Sequence, residues 1–410
     1  PETGRDLWKA TGGSAVLVRS LVESPTAGNG PSRLTAVGNR LYFTFHDAYG
    51  NELWTSDGTA AGTVMVKDIR AGGSSDPEYL EAVGSTLYFR ALTSANGYEL
   101  WKSDGTDAGT AMVKDIRAGS GDSNPISLTA VGNTLYFQAN DGTSGNELWT
   151  SDGTEAGTTL VRDIRAGGGS SSPSNLTAAG DTLFFVANDP TTGKELWASD
   201  GTANGTFLVK DIFAGSSDSA PIYLTAAGSS LYFRARDSID RQEPWRTDGT
   251  AAGTVKLKQD NAKTSNSNPS NLTAIGNKLY FVGNDAVNGK ELWKSDGTAM
   301  GTVLVKDIRT GVNDANPVYL TAVGSSLFFG ATTATNGQEL WKSDGSTAGT
   351  SLVKDIHVGS GNSTPSHLTV AGGTLFFVAN DNTHGSELWK SDGTAAGTVL
   401  VKDINPGSDG

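Results

Sequence analysis

The chain contains no cysteine, only 3 methionines and only 4 histidines in 410 residues. Without cysteine there can be no disulfide and no thiolate acting as nucleophile or metal ligand. The histidines, His46, His357, His367 and His384, are not in metal-ligand spacing and read as loop or surface residues. No apolar run approaches the roughly 20 residues of a membrane helix. No long stretch shows apolar residues at helical period. The Asp-x-Asp-x-Asp-Gly alternation of a calcium loop, the nucleophile elbow and the phosphate-cradling loop are also missing. These absences lead to an expectation of no enzyme, no metal and no cofactor. Positive charge is scarce as well. With 31 Lys and Arg against 44 Asp and Glu, the net charge is −13. Such a surface repels phosphate backbones and anionic lipid heads, so neither nucleic acid nor membrane insertion is expected.

Glycine is abundant instead, at 53 residues, beside 13 prolines and an apolar share of only 36%. This balance suits short strands joined by tight turns, and the reading is all-β. The architecture follows from tryptophan. Trp8, Trp54, Trp101, Trp149, Trp197, Trp245, Trp293, Trp341 and Trp389 are separated by 46, then 47, then six times 48 residues. A fixed period of that length, made of strand-sized pieces, marks a propeller or a solenoid. Between Pro173 and Ile212 one unit reads as four strands. Strand A starts at Asn175 and ends at the Gly180-Asp181 turn. Strand B starts at Thr182, strand C carries Glu195-Leu196-Trp197, and strand D runs from Phe207 to Ile212. Four antiparallel strands per repeat, with short crossings, match a propeller blade and not a flat solenoid coil. Each tryptophan is expected in an equivalent buried site on strand C.

Eight inner A/B pairs start near Leu34, Leu80, Leu128, Leu176, Leu224, Leu272, Leu320 and Leu368. The expectation is therefore one closed eight-bladed propeller spanning 1–410, with blades near 31–70, 77–117, 125–165, 173–213, 221–260, 269–309, 317–357 and 365–404. Outer C/D pairs number nine, because Asp6-Leu7-Trp8 followed by Ala15 to Val18 is a shortened extra copy within 1–20. Nine blades is the rival reading. The opening Pro1 to Trp8 mimics Pro190 to Trp197, so the chain begins as if inside a B–C loop. The extra hairpin is expected either to strap the ring as additional outer strands or to be left from a longer array.

The motif Glu-Leu-Trp-x-Ser-Asp-Gly-Thr-x-x-Gly-Thr stands at Glu52 to Thr63, Glu99 to Thr110, Glu147 to Thr158, Glu195 to Thr206, Glu291 to Thr302 and Glu387 to Thr398. One copy carries Ser346 for Thr, and another reads Glu243-Pro244-Trp245-Arg246-Thr247-Asp248. Through these residues nearly the whole chain resembles the bacterial ELWxxDGT-repeat (hyalin-like) propeller proteins. The resemblance implies a secreted or cell-surface module and carries no catalytic residue to transfer. The C–D turn is also similar to the Asp-box of sialidases, with Asp57, Asp104, Asp152, Asp200, Asp248, Asp296, Asp344 and Asp392 as turn-formers. The recurring Glu and Lys of strands C and D, Glu195 and Lys210 for example, are expected to form a rim ion pair.

Identical blades cannot supply the asymmetry of a ligand site, so departures from the repeat carry the functional signal. With the hairpin turning at Gly132-Asn133, residue 127 is expected to face residue 138. The facing pairs are then Arg33/Thr44, Tyr79/Arg90, Ser127/Gln138, Asn175/Val186, Tyr223/Arg234, Asn271/Val282, Tyr319/Gly330 and His367/Val378. Tyrosine occurs only opposite Arg, where it can stack on the cation, or opposite Gly, where it can cover bare backbone. The B–C loops that share this face carry Asn140-Asp141, Asn188-Asp189, Asn284-Asp285 and Asn380-Asp381. Tyrosine-bearing blades have Leu92-Thr93, Arg236-Asp237 and Thr332-Thr333 instead. The candidate ligand-binding residues are Tyr79, Arg90, Tyr223, Arg234, Arg236, Tyr319, Asp141, Asp189, Asp285 and Asp381, ringing one mouth of a central channel. Blade five departs most, with Arg234, Arg236, Arg241, Arg246, Lys256 and Lys258, and with Pro244 removing a ladder donor. It reads as a relaxed basic edge facing an anionic partner or a second subunit. The functional expectation is a non-catalytic extracellular module that contacts glycan or protein through one face. The alternative is a structural or assembly module of a longer bacterial surface or filament protein.

Overall fold

A computed structural model describes residues 6–11, 14–21, 30–239, 242–258 and 267–403. Every regular element among them is a β-strand, and no helix is long and apolar enough to cross a membrane. Two compact units emerge. The first comprises Pro1–Thr11, Ala15–Asp211 and Gly215–Asp218, and the second Gly12–Ser14, Ile212–Ala214 and Ser219–Gly410. Each unit holds four four-stranded antiparallel sheets in which the strands pair in chain order, so the repeats are propeller blades. Eight such blades stand beside one two-stranded sheet, Leu7–Thr11 with Ser14–Arg19.

Blade four shows why these residues fold so. Its strands are Ser174–Ala179, Thr182–Asp189, Gly193–Ser199 and Phe207–Lys210. Central strand B is buried almost throughout, and blade three covers one of its faces. The core therefore lies between blades. Trp197 clusters with Leu183, Phe185 and Ala187 of its own blade and with Tyr136, Leu148 and Val161 of blade three. The eight tryptophans from Trp54 to Trp389 are 6–8% exposed. Trp8 departs from the expected equivalence at 41% exposed, since its two-stranded sheet has no inner strands among the described residues to frame it.

The extra hairpin docks on blade one as blade three docks on blade four. Leu7 and Leu21 join the cluster of Phe43, Phe45 and Trp54, and Arg19 donates to the Thr63 carbonyl. In blades two, six and seven the strand-D lysines Lys114, Lys306 and Lys354 make the same bond, 2.8 Å each, to Thr158, Thr350 and Thr398 of the following blade.

The Asp-Gly-Thr turn is a closed network. In blade four Asp200 Oδ1 accepts from the Thr202 amide at 2.9 Å and its hydroxyl at 2.8 Å. Gly205 N–H donates to Thr202 Oγ1 at 2.9 Å, and Thr206 Oγ1 to the Thr202 carbonyl at 2.7 Å. Glycine is required at 205 by crowding, since a Cβ there would meet the Asp200 carboxylate at 2.0 Å. The eight recurring aspartates are thus turn-formers, and these bonds hold their carboxyls below the usual range.

The strand-C glutamate behaves differently from the rim ion pair expected of it. Glu99 is fully buried and makes no ion pair with Lys114. Its carboxylate accepts the amides of Ile116 at 2.9 Å, Arg117 at 3.4 Å and Ser123 at 3.1 Å, and the Ser123 hydroxyl at 2.6 Å. Glu291 and Glu339 hold their own crossings in the same way, apart from Lys306 and Lys354. The physical reason is that the D–A crossing turns buried backbone donors inward, and these need an acceptor. Burial drives the carboxyls upward against those donors, to about 7 for Glu99 and Glu291.

Candidate functional site

Strand A opens on a β-bulge, which shifts the expected pairing by one residue. The observed partners are Glu78 with Arg90, Ile126 with Gln138, Ile222 with Arg234 and Val318 with Gly330. The next residue is left over and takes the left-handed conformation, with φ 55° at Tyr79, 57° at Tyr223 and 55° at Tyr319. The expected facing pairs are therefore corrected to their neighbours. The cation–ring contacts survive by another route, because the bulge swings the ring back over the arginine. The Arg90 guanidinium lies 5.0 Å from the Tyr79 ring centre, and that of Arg234 lies 4.9 Å from Tyr223. At Gly330 the expectation of a covering tyrosine gives way. Val318 Cγ2 is the nearest atom to its missing Cβ, at 3.1 Å, followed by Pro365.

In the first unit, Arg90 is held on several sides, although its Nε–H, like that of Arg234, is buried without a partner. It lies between Tyr79 and Tyr98, whose ring centres are 5.0 and 4.6 Å away. It also pairs with Glu78, which in turn pairs with Arg33, and its Nη1 donates to Asn124 Oδ1 at 3.1 Å. Tyr79, Glu78 and Arg33 border a shallow pocket of about 380 Å³.

In the second unit, Arg234 donates from Nη1 to Asn268 Oδ1 at 2.9 Å and to the Pro269 carbonyl at 3.4 Å. Its Nε–H is buried without a partner. Arg234, Tyr223 and Asn284 come together on one pocket of about 300 Å³ at the start of blade six. Arg236 lies 5.3 Å from the Phe213 ring centre. Tyr319 is about half exposed, and its carbonyl accepts from Thr321 at 2.9 Å. Blade five has a strand D of only two residues, Val255–Lys256. Several of its cations have internal partners: Lys256 pairs with Asp237 at 3.1 Å and Arg246 Nε donates to Ser230 at 2.9 Å. Arg241 lies outside the described residues.

The loop aspartates turn into their own loops. Asp141 accepts the amides of Thr143 at 2.8 Å and Ser144 at 2.7 Å, and Asp189 that of Thr191 at 2.8 Å. Asp285 takes the amides of Val287 and Asn288 at 3.1 and 2.6 Å. Asp381 takes that of Thr383 at 2.9 Å and pairs with His384 Nδ1 at 2.8 Å. Partial burial pushes these carboxyls up, yet the loop donors outweigh it and leave all four below the usual range. Among the described residues no group of three or more acidic or histidine side chains could hold a metal ion. What sequence reasoning missed was the buried strand-C glutamate and the pocket beside Arg234. The signal for the pocket was present, since Ile222 stands where blade two has Glu78.

Residues 132–383 match the family described as outer membrane protein assembly factor BamB. No curated protein matches the chain. Similar solved structures include a puromycin hydrolase, 14% identical over 88% of this chain and 59% of that one, at TM-score 0.38. Oligopeptidase B from Leishmania major is 11% identical over 81% of this chain and 49% of that one, at TM-score 0.45. The β-propeller domain of the Trilobed protease from Pyrococcus furiosus, which has an open velcro topology, is 11% identical over 77% and 95%, at TM-score 0.38. The chain thus spans about half to three fifths of the two peptidases. The family match overturns the expected function as an extracellular binding module and its surface-filament alternative; of the expected partners it supports a protein and gives no support to a glycan. With more than half of its length matched, the chain belongs to the β-propeller repeat family described as outer membrane protein assembly factor BamB.

Proposed function

We propose that this chain is an assembly scaffold of the cell envelope, a propeller that holds a protein partner in position and performs no chemistry on it. The observation that carries this reading is the family match over residues 132–383. The construction of the blades supports it. Every blade spends its buried glutamate or its turn aspartate on its own backbone, which makes a stiff frame and leaves few acids free for proton transfer. The Glu-Leu-Trp-x-x-Asp-Gly-Thr repeat is, in this reading, the module that sets the frame.

The test is co-sedimentation of the purified chain with outer-membrane vesicles from its native host, before and after the vesicles are shaved with protease. A scaffold for a membrane-embedded protein sediments with intact vesicles and stays in solution with shaved ones. Equal sedimentation with both, or none with either, overturns the reading.

A further inference from the structure

Blades two and five share an arginine at the end of strand B, a tyrosine ring over it and an asparagine that accepts from Nη1. They differ in two partners: blade five has Gln242 in place of the second ring, Tyr98, and it lacks the carboxylate of Glu78. Strand register places Glu78 opposite Arg90 but Ile222 opposite Arg234. Arg90 therefore has its carboxylate within the blade, whereas Arg234 makes no ion pair among the described residues. A guanidinium taken from water without a counter-ion loses solvation that its neutral acceptors only partly restore. Burial accordingly draws its pKa below the usual arginine value, with Tyr223 opposing in part. It remains charged at neutral pH.

The pocket on which Arg234 opens has an unusual lining for a chain of net charge −13. It contains Lys290, whose ammonium makes no ion pair among the described residues, and the polar amides Asn271, Asn284 and Asn316, but no carboxylate. Its volume of about 300 Å³ is at the lower end of small-molecule sites, enough for a short carboxylate-bearing chain.

We infer that this pocket binds a carboxylate, which serves Arg234 as Glu78 serves Arg90, with Lys290 as the second cation. Charge-assisted hydrogen bonds to an oxyanion are the strongest that these two side chains make. The ligand is either a small free carboxylate or the carboxylate end of a protein chain. This inference stands independently of the scaffold reading, because it rests on the pocket alone.

The experiment follows the Arg234 Nε–H resonance in the intact protein labelled with ¹⁵N-arginine. The probes are glutarate, an acetylated hexapeptide with a free C-terminus, and the same peptide amidated. A saturable shift with glutarate or with the free-ended peptide, but not with the amide, is expected. Tighter binding of the peptide assigns the site to a protein terminus, and tighter binding of glutarate assigns it to a free metabolite. Lys290→Gln and Ile222→Glu should each weaken binding by about tenfold, the worth of one charge-assisted hydrogen bond. Ile222→Glu should also raise the melting temperature, because it supplies the missing partner, so loss of binding cannot be blamed on unfolding. The absence of any saturable shift, an equal shift with sodium chloride at matched ionic strength, or undiminished binding by both variants would overturn the inference.

Discussion

Arg19 lies with its guanidinium 5.8 Å from the ring centre of Trp54, the relation that Arg162 bears to Trp197 at 5.9 Å and Lys354 to Trp389 at 5.7 Å. A strand-D cation over the next blade's tryptophan is thus repeated by a hairpin that lacks inner strands. The hairpin occupies the place of a preceding blade's outer half. Arg19→Ala removes this contact, worth about 0.5–1 kcal/mol, together with the bond to Thr63. Deletion of residues 1–20 also uncovers the Phe43, Phe45 and Trp54 cluster. Both variants are expected to melt earlier by differential scanning fluorimetry, the deletion more so, and an unchanged melt of the deletion would show that the hairpin does not stabilise blade one.

Trp197→Ala should cost about 3–5 kcal/mol in chemical denaturation, since it empties a packed inter-blade site. Trp8→Ala is the internal control. Its ring is 41% exposed, and its loss should cost less than about 1 kcal/mol. Similar values for the two would refute the distinction between framed and unframed tryptophans.

The buried glutamates set a pH dependence of unusual sign. Glu99 and Glu291 titrate at about 7 in the folded chain against 4.5 for the ordinary carboxyl. Between those values the folded state binds more protons than the unfolded, so stability falls as pH rises from 4.5 to 7. The turn aspartates act in the opposite sense. Their folded pKa lies below 3.8, so their contribution is present above that value and is lost only as pH falls through the folded pKa. Melting temperature is therefore expected to rise as pH is lowered from about 7.5 to about 5 and to fall again once pH drops through the lowered pKa of the turn aspartates. Glu99→Gln with Glu291→Gln should flatten the upper part of this profile. A profile that climbs from pH 5 to 7.5 would contradict the assignment.

Left-handed backbone at the start of strand A penalises branching. Asn175 and Asn271 occupy the site in blades four and six at φ 53° and 52°, and Tyr319 occupies it in blade seven. Tyr319→Asn should be close to neutral, because asparagine tolerates this region. Tyr319→Val should cost about 1–2 kcal/mol, measured by urea denaturation. Equal stability of the two variants would mean that the bulge relaxes without cost.

The four-strand repeat, its strand order and the Asp-Gly-Thr turn were legible in the sequence because they follow from the 48-residue tryptophan spacing and from local turn chemistry, whereas nine tryptophans left nine blades open beside the eight inner strand pairs. The bulge at Tyr79 and Tyr223 was not. One surplus residue at a strand end leaves the repeat period intact, and only backbone geometry reveals it. Glu195 was read as the partner of Lys210 because strands C and D adjoin. In sister blades the acceptor instead serves amides 17 to 24 residues onward, such as Ile116 and Ser123 for Glu99, a demand that no local pattern announces. The stacking of Arg90 and Arg234 on tyrosine was anticipated, but the pocket beside Arg234 needed the comparison of Glu78 with Ile222 in register.

The latches between blades recur at constant sequence offsets. Lys114, Lys306 and Lys354 each reach a threonine carbonyl 44 residues ahead, and Glu99 and Glu291 each reach an amide 17 ahead. Unequal crossing-over within the gene that gains or loses one whole repeat would keep every such offset. A spacing shorter by one residue, as between Trp54 and Trp101, already moves the lysine bond, since Lys67 reaches the Asp107 carbonyl instead, while Glu52 keeps the amides of Ile69 and Ser75. The same bonds that stiffen the blades thus favour lengthening or shortening of their coding sequence by complete repeats.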